Sequence, residues 1–328
     1  MSHESIDSSP VIISPIIIGP VIIGPVIIGT VELAHPILTA SGTAGYGAEF
    51  DAYFPLREIG GVVTKSVAPF EWQGNPAPRL HPTKNGMLNA VGLQGKGVAH
   101  FIEHDLPILR KTGATVIVSI WGHRVQDYLQ AAKMLFAVRS EITAIEINLS
   151  CPNLGGDHTM FAHDPALSAQ IVDLCLAAEL PLWAKLSPNT TQLVDIARAV
   201  QNAGAQAVTL VNTAIGMAIN TDTGLAVLGN IRGGLSGSAL HPIAVRCVFD
   251  VRAALPEIGI IGVGGVMSGQ DAAELMLAGA NVVQVGTATF ANPRAPLIIQ
   301  RQLVEWANQH RLTNWSQVTS AAHHGGLL

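Results

Sequence analysis

The stretch Ala144-Ile-Glu-Ile-Asn-Leu-Ser-Cys-Pro-Asn153 is the one around which the rest of the chain is organised. Residues 144–149 make an apolar run of the kind carried by a parallel strand buried on both faces. Pro152 keeps Cys151 out of the helical region, so the chain leaves that strand in an extended loop. A thiol is thereby set at a strand's carboxyl end between Asn148 and Asn153, whose amides each donate and accept hydrogen bonds. A cysteine taken alone reads more naturally as a small buried apolar residue, so its surroundings decide.

Those surroundings repeat the pattern. Apolar runs at 36–40, 61–65, 115–120, 144–149, 182–186, 207–212, 258–263 and 282–286 alternate with helical stretches, among them 124–138, 165–178, 191–203, 241–254 and 270–278. Eight strands with helical crossovers point to a closed (β/α)8 TIM barrel, whose chemistry sits on the loops at the strands' carboxyl ends. A doubly wound open sheet is the alternative.

The composition agrees. A chain of 328 residues, 48% apolar and 12% charged, can build one large barrel domain. A net charge of −5 leaves no electrostatic footprint for nucleic acid. Cys151, Cys175 and Cys247 are odd in number and lack metal-ligand spacing, so neither a metal site nor a disulfide framework is indicated, and a cytoplasmic location is expected.

Residues 10–29 repeat with period five, Pro-Val-Ile-Ile-Ser, Pro-Ile-Ile-Ile-Gly and twice Pro-Val-Ile-Ile-Gly. The run is apolar enough for a membrane span, but Pro10, Pro15, Pro20 and Pro25 each remove a donor and clash with the preceding helical turn. No transmembrane helix is expected, and the opening Met1-Ser-His-Glu4 lacks the basic flank of a signal peptide. Residues 1–30 are read as an irregular apolar arm, extended or edge-strand, or as a disordered tail, and 31–328 as the barrel.

The residues just past the strands are polar and rich in glycine. Gly264-Gly265 and Gly286-Thr287, after strands seven and eight, suit backbone binding of a phosphate, with Gly233-Gly-Leu-Ser-Gly237 joining them. Lys65 and Lys185 end strands two and five, where a lysine among apolar neighbours needs an anion or a polar ligand. Two lysines in a phosphate-bearing mouth suggest a planar anionic cofactor such as a flavin. Asn85-Gly-Met-Leu-Asn-Ala-Val-Gly-Leu93, between strands two and three, suits a small ligand with carbonyl and carboxylate groups, or is simply turn chemistry.

With these motifs the chain resembles the class 1 dihydroorotate dehydrogenases, and most the catalytic subunit of class 1B. The resemblance covers residues 31–308 and also rests on Ala40-Ser-Gly-Thr43, Thr64-Lys-Ser66, Gly74-Asn-Pro76, Pro78-Arg79, Lys185-Leu-Ser-Pro-Asn189 and Val211-Asn-Thr213. It implies an FMN barrel that oxidises dihydroorotate to orotate in pyrimidine synthesis, with Cys151 as base. FMN would be held by Ser41, Lys65, Ser66, Ser119, Asn148, Lys185, Val211, Gly237, Gly264, Gly265, Gly286 and Thr287. Substrate would be held by Lys65, Asn89, Ala90, Val91, Gly92, Leu93, Asn148, Asn212 and Thr213. Gly155-Gly156 would let the Cys151 loop close over it.

The chain lacks a cysteine cluster for an iron–sulfur centre and a Gly-x-Gly-x-x-Gly turn after a strand. The class 1B resemblance accordingly implies a dimer of barrels in a heterotetramer, with a partner subunit carrying FAD and a 2Fe-2S cluster and passing electrons to NAD. The departures are Ser238, where the family usually has proline, and Trp121 with His123, which enlarge the loop after the third strand. The rival readings are a fumarate-using class 1A enzyme, a flavin barrel acting on another pyrimidine, and a non-catalytic barrel that binds a phosphate ligand.

Overall fold

The structure, a computed structural model, describes residues 24–150 and 160–327. Its strands are β1 (Val26–Ile28), β2 (Val31–Leu33), β3 (Ile37–Thr39), β4 (Val62–Val63), β5 (Leu80–Thr83), β6 (Gly86–Asn89) and β7 (Val116–Ile120). They continue as β8 (Ala144–Asn148), β9 (Leu182–Lys185), β10 (Ala207–Leu210), β11 (Ala214–Gly216), β12 (Gly233–Ser236), β13 (Gly259–Val263) and β14 (Val282–Val285).

Eight of these run parallel in the order β3-β14-β13-β10-β9-β8-β7-β4. The ends of that sheet meet: the Thr39 amide donates to the Gly61 carbonyl at 3.2 Å and the Gly60 amide to Ile37 at 2.7 Å. The sheet is therefore a barrel, as the eight apolar runs implied. Every residue of β7, β8 and β13 is buried, the signature of strands covered by side chains inside and helices outside.

The helices are placed by their own sequence. Pro165–Cys175 starts on Asp164, whose carboxylate accepts from the amides of Ala166 at 2.8 Å and Leu167 at 3.1 Å, with Pro165 in the first turn where no amide is needed. Gly269–Leu277 starts on a capping box of Ser268 and Asp271. Leu193–Asn202 buries Leu193, Ile196, Ala197 and Val200, the three-and-four spacing of a single helical face.

At the amino end of the barrel, β1 and β2 form an antiparallel hairpin. Its residues Val26, Ile28, Val31 and Leu33 are buried in the main core, and the hairpin is tied to the barrel by Thr30 Oγ1 donating to Gln206 Oε1 at 2.8 Å. Each such buried side chain contributes about 1.5–3 kcal/mol. The last repeat unit, Pro25 to Gly29, is thus part of this hairpin, whereas the earlier units, Gly24 apart, lie outside the described residues.

At the opposite end, β11-β12-β6-β5 form a four-stranded antiparallel sheet beside the mouth. The segment 85–93, open between ligand site and turn in the sequence, is here the second strand of a hairpin and the chain beyond it. No helix among the described residues is long and apolar enough to cross a membrane.

Candidate active site

Four polar side chains meet inside the barrel just below the mouth. Glu146 on β8 is fully buried, and its carboxylate accepts from Lys185 Nζ at 3.3 Å, Thr209 Oγ1 at 3.0 Å and Gln284 Nε2 at 2.6 Å. Lys185 also donates to Gln284 Oε1 at 3.4 Å. Glu146 and Asn148 lie two apart on one strand, so both face inward, and β8 pairs with β9 so that Asn148 stands opposite Lys185. The lysine expected to need an anion has one within the protein, and still lines the mouth.

One side of the mouth is a glycine cradle. Gly237, Gly264, Gly265, Gly286 and Thr287 line it together with Val211 and Lys185. No described residue accepts a hydrogen bond from the amides of Gly265, Gly286 or Thr287. Gly265 has φ of +69°, and a Cβ there would stand 2.7 Å from His241 Cβ and 2.9 Å from the Gly237 carbonyl oxygen. Only glycine fits, and the open amides suit a phosphate. Behind the cradle His241 bridges the Gly264 carbonyl at 2.8 Å and Glu274 at 3.1 Å.

The other side is a wall of amides. Asn148 Oδ1 accepts from Asn212 Nδ2 at 3.2 Å, and Tyr128 donates its hydroxyl to the Asn148 carbonyl at 2.8 Å. Asn189 Nδ2 donates to the Thr213 carbonyl at 3.0 Å, and Asn89 Nδ2 to the Gly234 carbonyl at 3.2 Å. Gly234 must be glycine because a Cβ there would lie 2.0 Å from Thr213 Oγ1. Ala90, Val91, Gly92 and Leu93 continue this wall. Asn89, Val91, Asn212 and Thr213 line both sides, so the cradle and the amide wall are halves of one continuous cleft.

Lys65 projects into the amide-lined half, and no described residue accepts a hydrogen bond from its ammonium. Burial pushes its pKa down, and the nearby Arg79 charge acts in the same direction. Ser66 lines the same half, and its hydroxyl lies 3.2 Å from Ser41 Oγ and 2.8 Å from Ser119 Oγ. Ser41 and Ser119 therefore stand behind Ser66 in a hydroxyl chain.

The enlarged loop after β7 forms an aromatic box. The His123 ring centre lies 4.7 Å from Trp121, 4.5 Å from Trp72 and 5.7 Å from Phe70. Among the described residues neither imidazole nitrogen has a hydrogen-bond partner, and burial lowers the His123 pKa, against the raising effect of Asp127. Trp121 is buried in this box on the amide-lined half and does not line the cradle.

The described residues thus bring the anticipated site residues to one cleft, with Ser41 and Ser119 behind it. Cys151, with Asn153, Gly155 and Gly156, lies outside them, between Ser150 and Met160, which both line the amide side. One expectation changes. The motif 233–237 does not join the cradle as a unit, because Gly233 to Ser236 are strand β12, with Gly233 and Gly234 on the amide side and Ser236 and Gly237 on the cradle side. Sequence reasoning gave no role to Glu146, Thr209, Gln284, Tyr128 or His241. The signal for Glu146 was a charged residue within an otherwise apolar run.

Comparison with known proteins agrees with this geometry. The family model for dihydroorotate dehydrogenase matches residues 26–306. The dihydroorotate dehydrogenase B (NAD(+)) catalytic subunit of Trichlorobacter lovleyi is 42% identical over 293 residues, 89% of this chain and 96% of that protein. Its namesake from Alkaliphilus metalliredigens is 42% identical over 289 residues, 88% of this chain and 95% of that protein. One from a Geobacter species is 41% identical over 292 residues, again 89% and 95%. The chain belongs to the dihydroorotate dehydrogenase family.

Proposed function

We propose that this chain is the catalytic subunit of an NAD-linked dihydroorotate dehydrogenase, oxidising dihydroorotate to orotate in pyrimidine synthesis. The observation that supports it best is the continuity of the glycine cradle with the amide wall, which would set a phosphate-bearing cofactor beside a small amide-reading pocket. FMN fits the cradle: Gly237, Gly264, Gly265, Gly286 and Thr287 would hold its phosphate, and Val211, Lys185, Asn148, Lys65 and the Ser41, Ser66 and Ser119 hydroxyls its ring system. When bound, FMN supplies the hydride acceptor.

The chain's own residues do the rest. Asn89, Asn148 and Asn212, with Thr213 and the segment from Ala90 to Leu93, would orient the pyrimidine ring through its carbonyl and N–H groups. Lys65 would pair with its carboxylate. Cys151 Sγ would remove the proton next to the ring carbonyl, and a thiol of ordinary pKa about 8.5 does this only when its loop raises its thiolate fraction. Glu146 holds the Lys185 ammonium at the mouth, where its charge would stabilise electron density arriving on the cofactor.

The finer partner reading is a cytoplasmic heterotetramer, in which two barrels form a dimer and a second subunit carries FAD and a 2Fe-2S cluster on to NAD. The relatives are named as NAD(+) enzymes, which favours this over fumarate as acceptor. Turnover of the purified chain tests it. NAD reduction only after the flavin and iron–sulfur subunit is added is the expected result; rapid fumarate reduction by the chain alone would replace it with the class 1A reading.

A further inference from the structure

The amide-lined half of the cleft has a charge asymmetry of which the roles above use only Lys65. Lys65 and Arg232 line it, and no aspartate or glutamate does so among the described residues, in a chain whose net charge is −5. Arg232 is exposed at the rim, and its guanidinium makes no ion pair or hydrogen bond with any described residue. Its backbone is fixed nonetheless. The Arg232 amide donates to the Asn230 carbonyl at 2.6 Å, and Asn230 Nδ2 donates to the Arg232 carbonyl at 3.3 Å. Two residues on, Gly234 pairs with Asn89 in the sheet and accepts from its side chain at 3.2 Å. Arg232 is thus anchored immediately before β12, the strand that carries part of the amide wall.

A pocket whose wall is amides reads ring carbonyls and N–H groups, but amides are neutral and do not select a carboxylate over a carboxamide. A cation at the mouth of a low-dielectric cleft does, by focusing the field and by forked hydrogen bonding to two oxygens. We infer that Arg232 is a specificity-determining residue, which recognises the carboxylate of the entering ring amide at the rim and draws anionic substrates in ahead of neutral ones. This rests on the dihydroorotate reading. The division of labour is then that Arg232 acts on capture and Lys65 deeper in the cleft.

The test uses the full flavin-loaded chain, wild type, Arg232→Gln and Arg232→Lys, with a dye as electron acceptor and with dihydroorotate or its neutral carboxamide. At low ionic strength Arg232→Gln is expected to lower kcat/KM for dihydroorotate about tenfold, with kcat nearly unchanged. The deficit shrinks at high salt, and Arg232→Lys restores most of the rate. The carboxamide is unaffected by either substitution. An Arg232→Gln variant that matches wild type on dihydroorotate at low salt, or that loses acid and carboxamide alike, overturns the inference. Equilibrium binding of orotate against its carboxamide, read from the flavin absorption shift, tests the same charge without turnover: the preference for the acid should fall in Arg232→Gln, and an unchanged preference overturns the inference. A wild-type chain that dihydroorotate does not reduce sinks the proposed function instead, and the binding comparison still decides the role of Arg232.

Discussion

Lys185 Nζ stands 3.3 Å from Glu146 Oε1 inside the barrel, with both side chains shielded from solvent. Taking out the carboxylate leaves a buried ammonium with, among the described residues, only Gln284 as a hydrogen-bond partner. Glu146→Leu is therefore expected to lower the unfolding free energy by about 3–5 kcal/mol, measured by urea denaturation. A loss below about 1 kcal/mol would show that the lysine finds solvent or another partner.

Gly265→Ala is expected to yield folded protein with little bound flavin. Its φ of +69° and the 2.7 Å approach to His241 force the cradle open. The flavin-to-protein absorbance ratio after purification reads this directly; a ratio equal to wild type would place the phosphate elsewhere.

Burial holds the Lys65 pKa below its ordinary value, with Arg79 adding to the effect. The unfolded chain therefore keeps this proton to higher pH, and Lys65 by itself makes stability rise with pH between the lowered and the ordinary value. Ligand binding runs the other way. A carboxylate needs the protonated ammonium, so orotate affinity should fall as pH climbs through that same window. Titration by flavin absorbance should show this in wild type, with weaker and flat binding in Lys65→Met. Wild-type affinity that holds constant up to the ordinary lysine pKa would remove Lys65 from the carboxylate site.

The hairpin sets how far the amino-terminal segment can be trimmed. Deleting residues 1–23 should leave thermal stability and flavin content close to wild type. Deleting through Gly29 removes Val26 and Ile28 from the core and should lower the melting temperature by several degrees. Equal melting temperatures for the two truncations would show that β1 contributes little.

The barrel was legible because its strands are buried on both faces and so read as unbroken apolar runs, from residues 36–40 to 282–286. The glycine pairs were legible because open amides and close approach demand glycine locally. The Glu146 network was not, since Gln284 lies 138 residues away and no local pattern announces a pairing across the barrel. The motif 233–237 was misassigned in part for a related reason: its glycines serve strand packing against Thr213 as well as the cradle, and sequence does not separate the two. The His241 bridge to Gly264 likewise joins residues from different loops.

In the proposed reaction dihydroorotate passes its electrons to flavin on this chain with Cys151 as the base. Anaerobic mixing of the purified chain with dihydroorotate, followed at the visible flavin band, tests it most directly. The wild type should bleach within a turnover and release orotate, faster as pH rises and the thiolate fraction grows. Cys151→Ser should bind orotate nearly as well yet bleach slower by roughly two or more orders of magnitude at neutral pH. A wild-type chain that keeps its colour, or a serine variant that bleaches at the wild-type rate, would contradict the account.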